Sequence, residues 1–550
     1  MEYSHDHKPI LEQKDAVGHA VRFMYMCSGV TDIAAFTGDD QYGRAARRLW
    51  ESVVDKKLYI TGGVGAQGFG EGFSADYELP NLSAYCETCA SIGHVFFNHR
   101  LSLLYGDAKY VDLLERTLYN GVLAAVSMEG NRFFYPNPLA SRGSTERSAW
   151  FDCACCPPNI ARILSSVPGY IYALEGRTLY VNLYIASAAR VHISGTDVRV
   201  SQETRYPWEG NVRFNVDPEH PSEFTLSLRI PGWARNVPVS SDLYSFADYD
   251  SSAVNLRVNG KSVLLNLEKG YARLKRNWNK GDVVELLMPM PVRRILANER
   301  VGSDRGRVAL QRGPIVYCAE GADHPDGKVL NIFLPDESEL QSTFHPEVLN
   351  GLAVVQANAF RTSYAGSGSP FLTTDVKLTA IPYYAWAHRG RSQMTVWIAR
   401  DASHTEPDRG PSLAAKALIA TSGGEGAEAL NDGQIPATSS DRSHGCFTWV
   451  GGKDTLWVQY DFGKTVEVSE ASVYWFDDSS AGSCRVPKSW RILARIECKW
   501  EPVYSPLRAW GTLRDRFNQV DFETARTDAV RLEVIPSPGK SAGILEWDVD

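Results

Sequence analysis

No long run of lysine or arginine occurs in the chain, and its formal net charge is −8. That argues against a nucleic-acid partner or an anionic membrane surface. No stretch is apolar enough to span a bilayer. The opening MEYSHDHKPILEQKD is polar and acidic, without the apolar core of a secretory leader, so the expectation is a cytoplasmic protein. Cysteine is absent from most of the chain, which does not suit a disulfide-stapled secreted scaffold. Of the 10 cysteines, five are Cys86, Cys89, Cys153, Cys155 and Cys156. Adjacent cysteines rarely bridge each other. Metal binding or thiol chemistry is the better first reading.

At 550 residues the chain is too long for one hydrophobic core, so several domains are expected. Apolar residues at three- and four-residue spacing predict helices over 16–36, 40–58, 84–105, 108–126 and 159–172. Between the second and third lies TGGVGAQGFGEGFSADYELPN, a glycine-rich loop. It is no phosphate loop, because no Lys-Ser/Thr pair follows the glycines and no strand-to-helix frame surrounds them. Beyond about residue 175 the pattern turns to period two, as in EFTLSLRIPGWA and DVVELLMPM, and Asn259-Gly260 marks a hairpin. The expected fold class is multidomain, helical then all-β. Its parts are a helical domain over 1–174, β-sandwiches over 175–298 and 299–400, a Ser/Gly/Pro/Ala-rich linker over 401–430, and a further β-sandwich over 431–550.

Chemistry concentrates in YCETCASIG and FDCACCPPN. They offer Glu87, Cys89, Cys153, Cys155 and Cys156. Three thiolates and one carboxylate complete a tetrahedral zinc shell. Glu87 and Cys89 are two apart, hence on different faces of a regular helix; they converge only if a helix starts there or the backbone deviates. Spacing alone leaves buried structural cysteines beside a solvated glutamate as an equal alternative.

The strings GHAVRFMYMCSG, TGGVGAQGFGEGF, DYELPNLSAYCETCASIG, ERTLYNGVLA, FFYPNPL and CACCPPN, in that order, resemble glycoside hydrolase family 127, the β-L-arabinofuranosidases. The resemblance implies a retaining glycosidase that releases non-reducing-end β-L-arabinofuranose from an oligosaccharide or glycan. Zn2+ would be held by Glu87, Cys89, Cys155 and Cys156. Cys155 would be the nucleophile and Glu71 the general acid/base. His19, Glu115 and Tyr135 match positions lining the sugar pocket. His94 and His99 are read as core or surface residues, and Cys86 and Cys153 as structural neighbours. The family fold resembles an (α/α)6 toroid of twelve helices; about half that number precedes the β-region here. The expectation is therefore a partial toroid lacking its N-terminal part, and a catalytically inactive carbohydrate-binding protein with a structural zinc is the alternative. A thiol-redox protein is a third reading. A homodimer is left open. Residues 431–550 resemble a discoidin (F5/8 type C) module through NDGQIPATSSD, WVQYDFGKTVEVSEASVYWFDD and RVPKSWRIL, with Trp449, Trp475 and Arg485 as candidate sugar contacts.

Overall fold

The computed structural model describes every residue except 144, 364–371, 407–411, 435, 437, 444, 450–454, 480, 481, 506–509 and 516. The chain divides into two compact units: Met1–Thr362 with Phe371–Pro407, and Ser363–Pro370 with Asp408–Asp550. The helical part and the first two predicted β-domains thus form one unit.

Among the described residues there are five α-helices: α1 (Ala20–Thr37), α2 (Asp40–Lys56), α3 (Thr88–Tyr105), α4 (Ala108–Arg116) and α5 (Cys156–Ser166). Their ends follow local chemistry. The Asp39 and Asp107 side chains accept from the amides of Gln41 and Lys109, satisfying free N–H groups at the starts of α2 and α4. Gly38 and Gly106 close α1 and α3 in the left-handed conformation. Two boundaries differ from expectation in a way that matters. α3 starts at Thr88 rather than 84, because Cys86 has a φ of +41° and breaks the helix before it. α5 starts at Cys156 rather than 159, since Pro157 and Pro158 are tolerated in a first turn whose amides have no helical partner. α1 and α3 cross closely: a Cβ on Gly93 would lie 2.8 Å from the Met24 Cβ.

Apart from Tyr244–Phe246, which joins the large sheet described next, the strands over 172–287 form a six-stranded and a five-stranded sheet around one apolar core with Phe214, Leu226, Leu228 and Trp278. This is the expected first sandwich. Asn259 (φ +50°) and Gly260 (φ +76°) make the hairpin turn between Asn255–Val258 and Lys261–Ser262. The next strands build an eleven-stranded sheet that also takes in Ala140–Arg142 from the helical part. One core runs through both, from Leu49 and Phe97 to Trp386 and Trp397. Phe134 stacks on Trp386 at 5.2 Å, and the Tyr383 hydroxyl donates to Pro138 O at 2.8 Å.

The second unit is a seven-stranded sheet whose two longest strands, Leu456–Phe476 and Phe517–Ile535, pair with irregularities in register that bend them. The 401–430 linker expectation is corrected. Leu418–Thr421 is a strand paired with Leu456–Phe476, and Ala414 and Leu430 are buried in that unit's core. Small residues there serve close packing, which composition alone reads as slack. Trp449 and Trp475 are also core residues, 2% and 0% exposed, and so are not sugar contacts. Arg485 donates to Gly482 O and Cys484 O and pairs with Asp478, a structural role. Part of the NDGQIPATSSD string lies outside the described residues.

Arg229 leaves the first sandwich and is fully buried against α4. It pairs with Asp112 at 2.7 Å and with Glu115 at 2.5 Å, while Tyr206 donates to Glu115 at 2.9 Å. Removing one partner of a buried pair leaves uncompensated charge. Arg229→Leu is therefore expected to destabilise the first unit by about 3–5 kcal/mol, read as a lowered thermal midpoint for that unit. A midpoint within a degree of the parent's would show that the pair is not needed.

Candidate metal and active site

The start of α3 resolves the spacing problem of Glu87 and Cys89. Glu87 is the cap residue just outside the helix, with extended backbone (φ −53°, ψ +136°), and Cys89 is in the first turn. The change of backbone between them turns both side chains to one point. Cys155 is the residue just outside α5, already with helical backbone (φ −73°, ψ −36°), and Cys156 opens the helix. Two helix N-termini thus face the cluster, and their amide dipoles favour thiolate and carboxylate there.

The donor atoms of Glu87, Cys89, Cys155 and Cys156 all lie within 4.8 Å of one another. Cys156 Sγ is 3.7 Å from both Cys89 Sγ and Cys155 Sγ. Glu87 Oε1 is 3.6 Å from Cys155 Sγ and 4.0 Å from Cys156 Sγ. A tetrahedral ion with metal–sulfur bonds of about 2.3 Å has sulfur–sulfur edges of about 3.8 Å, so the sulfurs stand at coordination spacing. Glu87 Oε2 is buried without a hydrogen-bond partner. Such an atom is costly unless a cation or a further donor meets it. Burial pushes the Glu87 carboxyl up to about 9. Burial also raises the Cys155 thiol. Cys156 is raised, first by its hydrogen bond to Cys89. That same bond, with one from Asn159, lowers Cys89. Packed this closely without a cation, the groups disfavour one another's ionisation.

Glu71 sits in the glycine-rich loop. Reciprocal backbone bonds between Gln67 and Gly72 close the turn that presents it. Gly70 (φ +73°) and Glu71 (φ +49°) are both left-handed, and a Cβ on Gly72 would meet Gly18 O at 2.8 Å. The Glu71 carboxylate is bound on both oxygens: Tyr85 donates to Oε1 at 2.8 Å, and His19 Nε2 lies 2.9 Å from Oε2. Single ligand atoms of His19, Glu71 and Glu87 all fall within 4.8 Å of one another. The proton-carrying group thus stands beside the sulfur cluster. Tyr135, on the FFYPNPL segment, places its hydroxyl 3.2 Å from Cys155 Sγ. Thr88 N donates to its carbonyl at 3.0 Å, tying that segment to the start of α3.

The structure therefore brings together His19, Glu71, Glu87, Cys89, Tyr135, Cys155 and Cys156. It does not bring Glu115, which is 1% exposed with its carboxylate engaged by Arg229 and Tyr206. The sugar-contact expectation for Glu115 is corrected to a buried strut between α4 and the first sandwich. His94 is a core residue with Nδ1 3.2 Å from Gly62 O, and burial lowers it to about 4. His99 packs on Tyr170 at 4.2 Å. Cys86 is buried and Cys153 exposed. Sequence reasoning missed Tyr85 and Asn159. Both adjoin the recognised strings, yet nothing in a tyrosine or asparagine there marks a partner 14 residues away, as for Tyr85 and Glu71.

Three family models match in series: the β-L-arabinofuranosidase GH127 catalytic domain over 1–169, the GH127 middle domain over 178–290, and the glycoside hydrolase family 127 C-terminal domain over 292–399. The chain is 34% identical over 422 residues to a non-reducing end β-L-arabinofuranosidase of Bifidobacterium longum subsp. longum, covering 72% of this chain and 61% of that protein. A solved GH127 β-arabinofuranosidase is 49% identical with a TM-score of 0.72, covering 74% of this chain and 64% of its own. A GH127 β-L-arabinofuranosidase from Geobacillus stearothermophilus T6 is 42% identical with a TM-score of 0.68, covering 72% of this chain and 63% of its own. The chain thus spans between three fifths and two thirds of the length of these relatives. Three consecutive domains of one family, with the cysteine and glutamate cluster inside the first, lead to one conclusion: the chain belongs to glycoside hydrolase family 127.

Proposed function

We propose that this chain is a retaining glycoside hydrolase that releases non-reducing-end β-L-arabinofuranose, with Cys155 as nucleophile and Glu71 as general acid/base. One observation carries the reading: three sulfurs and a carboxylate oxygen at coordination spacing, with a second carboxylate held beside them. Glu87, Cys89, Cys155 and Cys156 would hold Zn2+, the ion that thiolate-rich tetrahedral sites favour. A bound zinc supplies the positive charge that keeps the thiols ionised at neutral pH. Cys155 is the half-exposed sulfur of the set, so it is the one a sugar can reach. Its thiolate attacks the anomeric carbon while the glycosidic C–O bond breaks and Glu71 gives its proton to the leaving oxygen. Glu71 then takes a proton from water, the water oxygen attacks the anomeric carbon, and the C–S bond breaks. Tyr135 donates to Cys155 as thiolate and lowers the cost of its charge in both steps. For the second unit we propose a discoidin-like carbohydrate-binding role, which two buried tryptophans leave to its loops.

The alternative reading is a carbohydrate-binding protein in which the zinc is structural. Turnover of p-nitrophenyl β-L-arabinofuranoside separates the two. The parent chain is expected to hydrolyse it, Glu71→Gln to lose about 10²–10⁴-fold in rate, and Cys155→Ser to lose turnover. Stoichiometric zinc with no turnover in the parent would select the binding reading, and a folded sample without zinc would sink both.

Metal loading should also release protons. Glu87, Cys155 and Cys156 all titrate above neutrality in the metal-free cluster. Loading with zinc at pH 8 is expected to release about three protons per ion, so apparent affinity rises with pH and is lost as pH falls. Proton release in weakly buffered solution measures this; release of fewer than one proton would contradict the ligand set.

A further inference from the structure

We infer that Tyr85 is the positioning residue that sets Glu71 for proton transfer, an inference that rests on the acid/base reading of Glu71 above. The backbone around Glu71 is fixed, but its side chain is 35% exposed. Only side-chain bonds hold its carboxylate in place, from Tyr85 on Oε1 and His19 on Oε2. The two partners differ in what they can do. His19 Nδ1 is buried with no hydrogen-bond partner. A proton on Nδ1 alone would be an unsatisfied buried donor, so Nε2 is the nitrogen that carries a proton and donates to Oε2. It supports the carboxylate form only.

The Tyr85 hydroxyl is a rotor. It donates to the carboxylate and, turned, accepts from the carboxylic acid. It alone can serve both protonation states through which an acid/base must pass.

Its own placement is firm. Tyr85 N donates to Ala66 O, and its carbonyl accepts from Asn137 N at 2.9 Å. Its ring packs beside Tyr135 at 6.2 Å, and a Cβ on Gly68 would touch it at 3.6 Å. Tyr85 also stands two residues before Glu87 and four before Cys89. A single five-residue segment therefore carries both the hydroxyl that aims Glu71 and two of the four cluster donors. Through it, the proton group and the nucleophile's surroundings share one rigid mount.

The test is Tyr85→Phe in the full chain, loaded with zinc. Zinc content and thermal midpoint are expected to match the parent, with the Glu71 carboxylate displaced in the crystal structure of the variant. On methyl β-L-arabinofuranoside, whose leaving group needs a proton, kcat is expected to fall about 10²-fold with KM nearly unchanged. On the p-nitrophenyl glycoside the fall should be smaller and partly restored by azide, which attacks without a general base. An unmoved Glu71 with parent-like rates on both glycosides would overturn the inference, as would equal losses on both accompanied by loss of zinc. A parent chain that binds zinc but turns over neither glycoside sinks the functional reading. The crystallographic arm then decides alone: a displaced Glu71 supports the positioning role, and an unmoved one overturns it.

Discussion

Two helix beginnings aimed at one point are the constraint on which this molecule depends. α3 and α5 each start beside their cysteines, so the side chains that would repel one another as anions sit where unpaired amides favour negative charge. Neither helix could start a turn earlier without swinging a donor away. The left-handed Cys86 before α3 and the two prolines in the first turn of α5 are the sequence's means of preventing that. Four acidic groups in a buried pocket are unfavourable by themselves, as the raised Glu87 carboxyl shows. The arrangement makes physical sense as a receptacle for positive charge.

The surrounding fold serves that point. Tyr135 and Asn137 brace the start of α3 from one side. The large sheet supports their segment in turn, through the Phe134–Trp386 stack and the Tyr383 bond to Pro138. Lys57, buried at the end of α2, donates to Ala16 O at 3.0 Å and Ser74 O at 2.9 Å, pinning both ends of the path that leads to His19 and Glu71. Function is carried by loops and helix ends, and rigidity by the layers beneath them.

Much of this was legible in the sequence, for identifiable reasons. Helical and strand periods marked the change near residue 175, and Asn259-Gly260 gave its hairpin away because few other pairs accept two left-handed residues. The cysteine pair and Glu87 stood out because thiols cluster for chemistry more often than for packing. Their convergence was not legible, since it turns on where a helix starts, to within one residue. Tyr85 could not be found because its hydroxyl acts across the loop. Glu115 misled because a carboxylate in a recognised string looks functional, and only the arrival of Arg229 from 114 residues away shows what engages it. The stretch after residue 411 misled because alanines look loose in a string, whereas Ala414 and Ala429 are buried in the fold.

The strand Ala140–Arg142 lies between the two cysteine-bearing segments and zips onto Gln393–Thr395, more than 250 residues further on. A ribosome therefore finishes the clustered cysteines long before it makes the strand that pairs with the segment between them. Until about residue 400 has been made, the segment that joins the two cysteine groups lacks its strand partner. The order of elements along the chain thus makes the support of the cysteine-bearing segments one of the last contacts of the first unit to form.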